Sequence, residues 1–83
     1  MEKFKIKYTK VIEEEVSFNK FTAIQLQKLR KRKNLTQEEF ANKVGLSRAS
    51  IINIEAGRQQ LTLKNLFLIC RELGITSSDI LPF

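Results

Sequence analysis

One short phrase recurs five times along the chain: an apolar residue, a serine or threonine, three further residues, then a second apolar residue. Such a hydroxyl suits an N-cap, where it accepts from an orphan backbone N–H, while the apolar residues on either side close over the first turn as a staple. Phe21-Thr22 closes on Leu26, Leu35-Thr36 on Phe40, Leu46-Ser47 on Ile51, Leu61-Thr62 on Leu66, and Ile75-Thr76 on Ile80. Gln25, Glu39 and Asp79 stand at N3 of three of these starts, and Gln25 and Glu39 complete capping boxes of the usual form. Asn34, Gly45, Gly57 and Gly74 fall where the helices should stop, and these residue types accept the left-handed backbone of a C′ position. The spacing predicts helices over 22–33, 36–44, 47–56, 62–73 and 76–81, the last ended by Pro82.

Within these helices Phe40, Ala41 and Val44, then Leu46, Ile51 and Ile54, then Leu63, Leu66, Phe67, Ile69, Cys70 and Leu73 recur at helical intervals and form the predicted core. Cys70 belongs to that stripe and is read as a small core residue. Residues 1–20 differ: Phe4, Ile6 and Tyr8 alternate with Lys3, Lys5 and Lys7, the period of a half-buried strand. This extension is expected to be a partly ordered tail, a strand pairing across a dimer, or a basic arm reaching a polyanion. The domain proper is expected over 21–83.

The second helix ends at Gly45 and Ser47 caps the third, so the two must turn sharply against each other as a helix-turn-helix spanning Gln37 to Ala56. Ile51 and Ile54 pin the third helix to the core. Arg48, Ala49, Ser50, Ile52 and Asn53 lie away from that stripe. In this docking mode they reach base edges in the major groove: Arg48 suits guanine O6 and N7, Asn53 suits adenine, and Ala49 or Ile52 suits a thymine methyl. Ile52 equally suits packing against the N-terminal segment or a partner, or standing as an isolated apolar surface residue.

Charge fits a polyanionic partner. The 83 residues carry a net charge of +6, concentrated between Lys20 and Lys64, where Glu38, Glu39 and Glu55 face ten lysines and arginines. The run Lys28 to Lys33 is read as a solvated helix end whose cations complement the macrodipole. Glu13, Glu14 and Glu15 are read as a solvated face. With no histidine and one cysteine, no metal site, cofactor or internal disulfide is expected. No glycine-rich phosphate loop, nucleophile beside a base, or paired carboxylates suggest an enzyme. No signal peptide or membrane span is evident, and the expected location is the cytoplasm, with the nucleoid.

The run LTQEEFANKVGLSRASIINIEAGRQQLTLKNL, Leu35 to Leu66, resembles the phage-repressor and Cro type of helix-turn-helix domain, the XRE family, with agreement extending over about residues 22–81. Gln37, Ala41, Gly45, Ile51, Glu55 and Gly57 carry the likeness. It implies an all-α, compact five-helix lambda-repressor-like domain, here with a short N-terminal extension that is a possible single β-strand. It implies phosphate contacts from Gln37 and from Arg58, Gln59 and Gln60 in the following loop, with Ser47 at the recognition-helix cap beside them, and a structural ion pair between Arg30 and Glu55. Asn34 stands where many members have glycine, Ile52 where a polar residue is common, and the segment before Thr22 is longer than usual.

The expected function is a transcriptional regulator that binds double-stranded DNA at a palindromic operator as a homodimer, with no membrane or small-molecule partner. Base contacts are expected from Arg48, Ala49, Ser50 and Asn53. The apolar end, Ile80 to Phe83, is the first expected dimer contact. The alternative is an antitoxin-like or accessory subunit that chiefly holds a protein, with DNA binding secondary.

Overall fold

The computed structural model describes residues 2–81, with side chains from Ser17 to Leu81. Four α-helices succeed one another, α1 (Glu2–Arg32), α2 (Gln37–Val44), α3 (Arg48–Glu55) and α4 (Leu63–Leu73), followed by a 3₁₀ turn at Ser77–Asp79.

Three of the five predicted starts are helix caps. Thr36 Oγ1 accepts from Glu39 N at 3.1 Å while Glu39 Oε1 accepts from Thr36 N at 2.9 Å, a complete capping box. The Thr36 backbone N–H, and to a lesser degree the Thr36 hydroxyl, favour the ionised carboxylate, so Glu39 titrates below its ordinary value. Ser47 Oγ accepts from Ser50 N at 3.0 Å, and Thr62 Oγ1 accepts from Asn65 N at 3.1 Å. At Thr76 the bond runs the other way: Asp79 Oδ2 accepts from Thr76 N at 3.0 Å and closes a single 3₁₀ turn. The expected fifth α-helix is therefore absent. Pro82 disfavours helical dihedrals at the residue before it, which leaves too few positions to propagate a helix.

Thr22 is the larger correction. It starts nothing: α1 passes through it without interruption, and its hydroxyl donates back to Asn19 O at 3.0 Å inside the helix. The expected strand or tail over residues 1–20 is helical from Glu2 onward, and no strand occurs among the described residues. Two features of the sequence explain this. No glycine or proline interrupts residues 2–33. Phe4, Tyr8, Val11 and Phe18 also stand at intervals of four, three and seven, so the alternation of Phe4, Ile6 and Tyr8 competes with a longer helical period. At about 1.5 Å per residue the 31-residue helix is some 46 Å long, nearly the molecule's longest dimension of 48 Å. Among the described residues, no helix is long and apolar enough to cross a membrane.

The core joins Leu26 and Leu29 of α1, Phe40, Ala41 and Val44 of α2, Ile51 and Ile54 of α3, Leu66 and Ile69 of α4, and Ile80. Cys70 is half-buried against it, and burial, with a smaller contribution from Asp79, pushes its thiol above the ordinary value. Two expectations shift here. Ile80 is 1% exposed and thus a core residue, not a surface contact, and Pro82 and Phe83 lie outside the described residues. Conversely Leu63 and Phe67, expected inside, are 82% and 61% exposed. The apolar stripe on α4 is wider than the surface that the other helices cover.

α1, α2, α3 and α4 end alike, with a residue at positive φ: Asn34, Gly45, Gly57 and Gly74. In each case the next N–H reaches back to a carbonyl five residues earlier, as in Leu46 N to Ala41 O at 3.0 Å. Gly45 permits the chain to leave α2 and enter α3 across Leu46 and Ser47, with the small Ala41 buried at the junction. A Cβ on Gly45 meets nothing within 4 Å, so Gly45→Ala isolates backbone strain at φ 79°. It should cost about 1–2 kcal/mol and lower the midpoint of thermal unfolding by roughly 4–15 °C, measured by calorimetry.

Candidate DNA-recognition surface

The base of the site is a buried carboxylate. Glu55, in the last turn of α3, is 4% exposed and is gripped by side chains from two other helices. Arg30 Nε donates to its Oε2 at 2.8 Å and Arg30 Nη2 to its Oε1 at 3.0 Å, a two-point ion pair. The third arm of that guanidinium, Nη1, donates to Leu35 O at 2.9 Å. Gln37, the first residue of α2, donates from Nε2 to Glu55 Oε1 at 3.3 Å. One anion thus ties α1, α2 and the α1–α2 connection to the end of α3. Gln27 adds a bond that the sequence reading missed: its Nε2 donates to Glu55 O at 2.7 Å. Its position three residues before Arg30, on one face of α1, is the signal that would have found it.

With its inner side secured by Ile51, Ile54 and Glu55, α3 turns its N-terminal residues outward. Arg48 and Ala49 are exposed. Ser50 is half-buried and takes part in the cap: Ser47 Oγ, which accepts from Ser50 N, donates to Ser50 Oγ at 2.9 Å. Ile52 is half-covered and is not part of the core cluster. Asn53, half-buried, lies farther along the helix, where its Oδ1 accepts from both Nε and Nη2 of Arg58 at 3.2 Å each. Two residues assigned separate tasks from sequence are therefore joined. Gln59 is half-buried with its N–H on Asn53 O, and Gln60 is exposed in the same loop. Gln37 is turned inward by Glu55, which leaves its carbonyl oxygen and one amide proton uncommitted.

The cations around this surface are in solvent. Lys28, Lys31, Arg32, Lys33, Lys43, Arg48, Arg58 and Lys64 are all exposed, whereas Arg30 is tucked against Glu55. A short helix displaying a polar N-terminal face, set against a second helix by a three-residue turn and surrounded by unburied cations, defines a helix-turn-helix protein. The helix-turn-helix family model HTH_3 matches residues 26–80, and the chain belongs to that family, the XRE type of transcriptional regulators. Over 47 residues it is 47% identical to an uncharacterised HTH-type transcriptional regulator of Methanocaldococcus jannaschii, covering 57% of this chain and 71% of that one.

Among solved structures it is similar to an HTH_3 family transcriptional regulator from Vibrio cholerae, with a TM-score of 0.76 and 32% identity. That match covers 80% of this chain but 37% of the Vibrio cholerae chain, so this chain spans little more than a third of it. It is also similar to the restriction-modification controller protein C.AhdI from Aeromonas hydrophila, with a TM-score of 0.70, 27% identity, and coverage of 75% of this chain and 94% of that one.

Removing the central anion should be costly. Glu55→Ala leaves Arg30, whose side chain is 13% exposed, without its counter-charge, and should destabilise the fold by about 3–5 kcal/mol, read from urea unfolding. In a double-mutant cycle with Arg30→Ala the second substitution should cost much less than the first.

Proposed function

We propose that the chain is a sequence-specific DNA-binding transcriptional regulator that docks α3 in the major groove of a palindromic operator as a homodimer. The observation that carries this reading is the exposed start of α3, Arg48 and Ala49, presented by a helix whose opposite side is fixed by Glu55 and the core. Arg48 is the principal base reader: its fork matches guanine O6 and N7. Ala49 contacts a thymine methyl, and Ser50 and Asn53 contribute further base-edge contacts. Ser47, Gln37, Gln59 and Gln60 sit at the two ends of the helix, where they position the protein on phosphates, and Arg58 brings a cation to the same rim. The exposed lysines and arginines supply an attraction that is independent of sequence and falls as salt rises. The protein acts by binding, with no catalytic step.

Two copies place their α3 helices about 34 Å apart, one helical turn of DNA. Leu63 and Phe67, four residues apart on α4 and both in solvent, are the first choice for the contact between copies in place of the buried Ile80. A second reading, an accessory or antitoxin-like subunit, is favoured by the helical stretch from Glu2 to Lys20 ahead of the family-matched region. A stoichiometric protein partner co-purifying with the full chain would favour it over the first.

Arg48→Ala should lower affinity for the selected operator by about 1–3 kcal/mol and relax one base preference. Titrations on cognate and random duplexes check this; equal losses on both would remove the base-reading role. By sedimentation at tens of micromolar the protein should be dimeric and the double variant Leu63→Glu, Phe67→Glu monomeric. A wild-type monomer would refute the dimer.

A further inference from the structure

The ends of the four α-helices share a closing bond, and at three of them the residue that closes the motif is apolar: Leu35, Leu46 and Ile75. An apolar contact back to the last helical turn commonly accompanies this motif. At the end of α3 the closing residue is Arg58, whose N–H bonds Asn53 O at 2.9 Å, with Gly57 at φ 74° turning the chain back over the helix. The side chains repeat the backbone pairing. Arg58 Nε and Nη2 both donate to Asn53 Oδ1 at 3.2 Å. The side chain of arginine has donors only, so the amide is oriented without ambiguity: oxygen toward Arg58, Nδ2 away from it.

We infer that Arg58 is a specificity-determining positioning residue, which clamps Asn53 so that the pair offers donors alone to the major groove. This rests on the proposed reading of α3 as the recognition helix. A free asparagine pairs with adenine by accepting from N6 and donating to N7. Here the two lone pairs of Oδ1 are both engaged, and a bidentate adenine contact requires the clamp to open. What the pair presents is the Nδ2 amide and the unused guanidinium protons, together with a positive charge. Guanine shows two acceptors, N7 and O6, and matches such an array. Adenine and cytosine each add an amino donor that would be buried without a partner, which is penalised on binding. Asn53 therefore reads guanine while Arg58 holds it, and adenine when Arg58 is gone.

The test is selection of bound duplexes from a random library by wild type, Asn53→Ala, Arg58→Met and Arg58→Lys, with titrations on the winners. Arg58 is exposed, so these variants should keep the fold, which circular dichroism checks. Asn53→Ala identifies the position read, by losing preference there alone. Wild type should favour guanine over adenine at that position by roughly tenfold or more, Arg58→Met should reverse the order, and Arg58→Lys, which keeps a donor on Oδ1, should retain it in weaker form. If Arg58→Met lowers affinity on all duplexes and leaves the base preference unchanged, Arg58 is a phosphate contact and the inference is overturned while the DNA-binding reading stands. A wild-type preference for adenine there, or no change of preference on Asn53→Ala, overturns it equally. Failure of the wild type to enrich any sequence overturns the proposed function itself.

Discussion

The Glu55 carboxylate is the point through which α1, α2 and α3 are aligned. A charge withdrawn from water in the last turn of α3 is tolerated only if each of its oxygens finds donors, and Arg30 and Gln37 provide them. The consequence is geometric. Because the guanidinium is planar and engages both oxygens while also bonding Leu35 O, it fixes the rotation of α3 about its axis as well as its distance from α1. The apolar contacts of Ile51 and Ile54 supply most of the attraction, but contacts of that kind tolerate sliding and rotation better than a two-point polar lock does. Which residues of α3 face outward therefore depends on an ion pair on its inner side.

A second constraint is the local closure of every helix. In a domain with so few core residues, frayed ends would leave a large share of the backbone unbonded, and the caps and left-handed stops remove that cost without needing further apolar surface. At the end of α3 the same device has an additional use. Its closing residue is a cation that bonds the side chain of a surface asparagine, so the turn that ends the helix also orients one of the groups the helix displays. Helix closure and the display of Asn53 share atoms at this place.

The charge distribution follows from the same economy. Arg30 is the cation taken inside, while Lys28, Lys31, Arg32 and Lys33 around it remain exposed at the end of α1, where they also complement the helix macrodipole. Large apolar residues also stand in solvent, Phe21 and Ile24 on α1 and Leu63 and Phe67 on α4, with the Arg71 guanidinium 5.5 Å from the Phe67 ring centre.

Most of the helical frame could be read from residues alone because its signals are local. Thr36, Ser47 and Thr62 cap helices and Asn34, Gly45, Gly57 and Gly74 stop them because a hydroxyl or a left-handed backbone acts within one turn of itself. The outward residues Arg48 and Ala49 were legible too, from their phase against Ile51 and Ile54. Thr22 shows the limit: the same phrase sits within a long helix, because nothing before it breaks the helix and a cap acts only where the chain enters one. What no pattern could supply were the relations between segments distant in sequence. The bond from Gln27 to the carbonyl of Glu55, the burial of Ile80 and the exposure of Phe67 depend on where whole helices come to rest. The engagement of Asn53 by Arg58, though only five residues apart, is likewise decided by the tertiary structure, since it depends on the side-chain rotamers adopted at the end of α3.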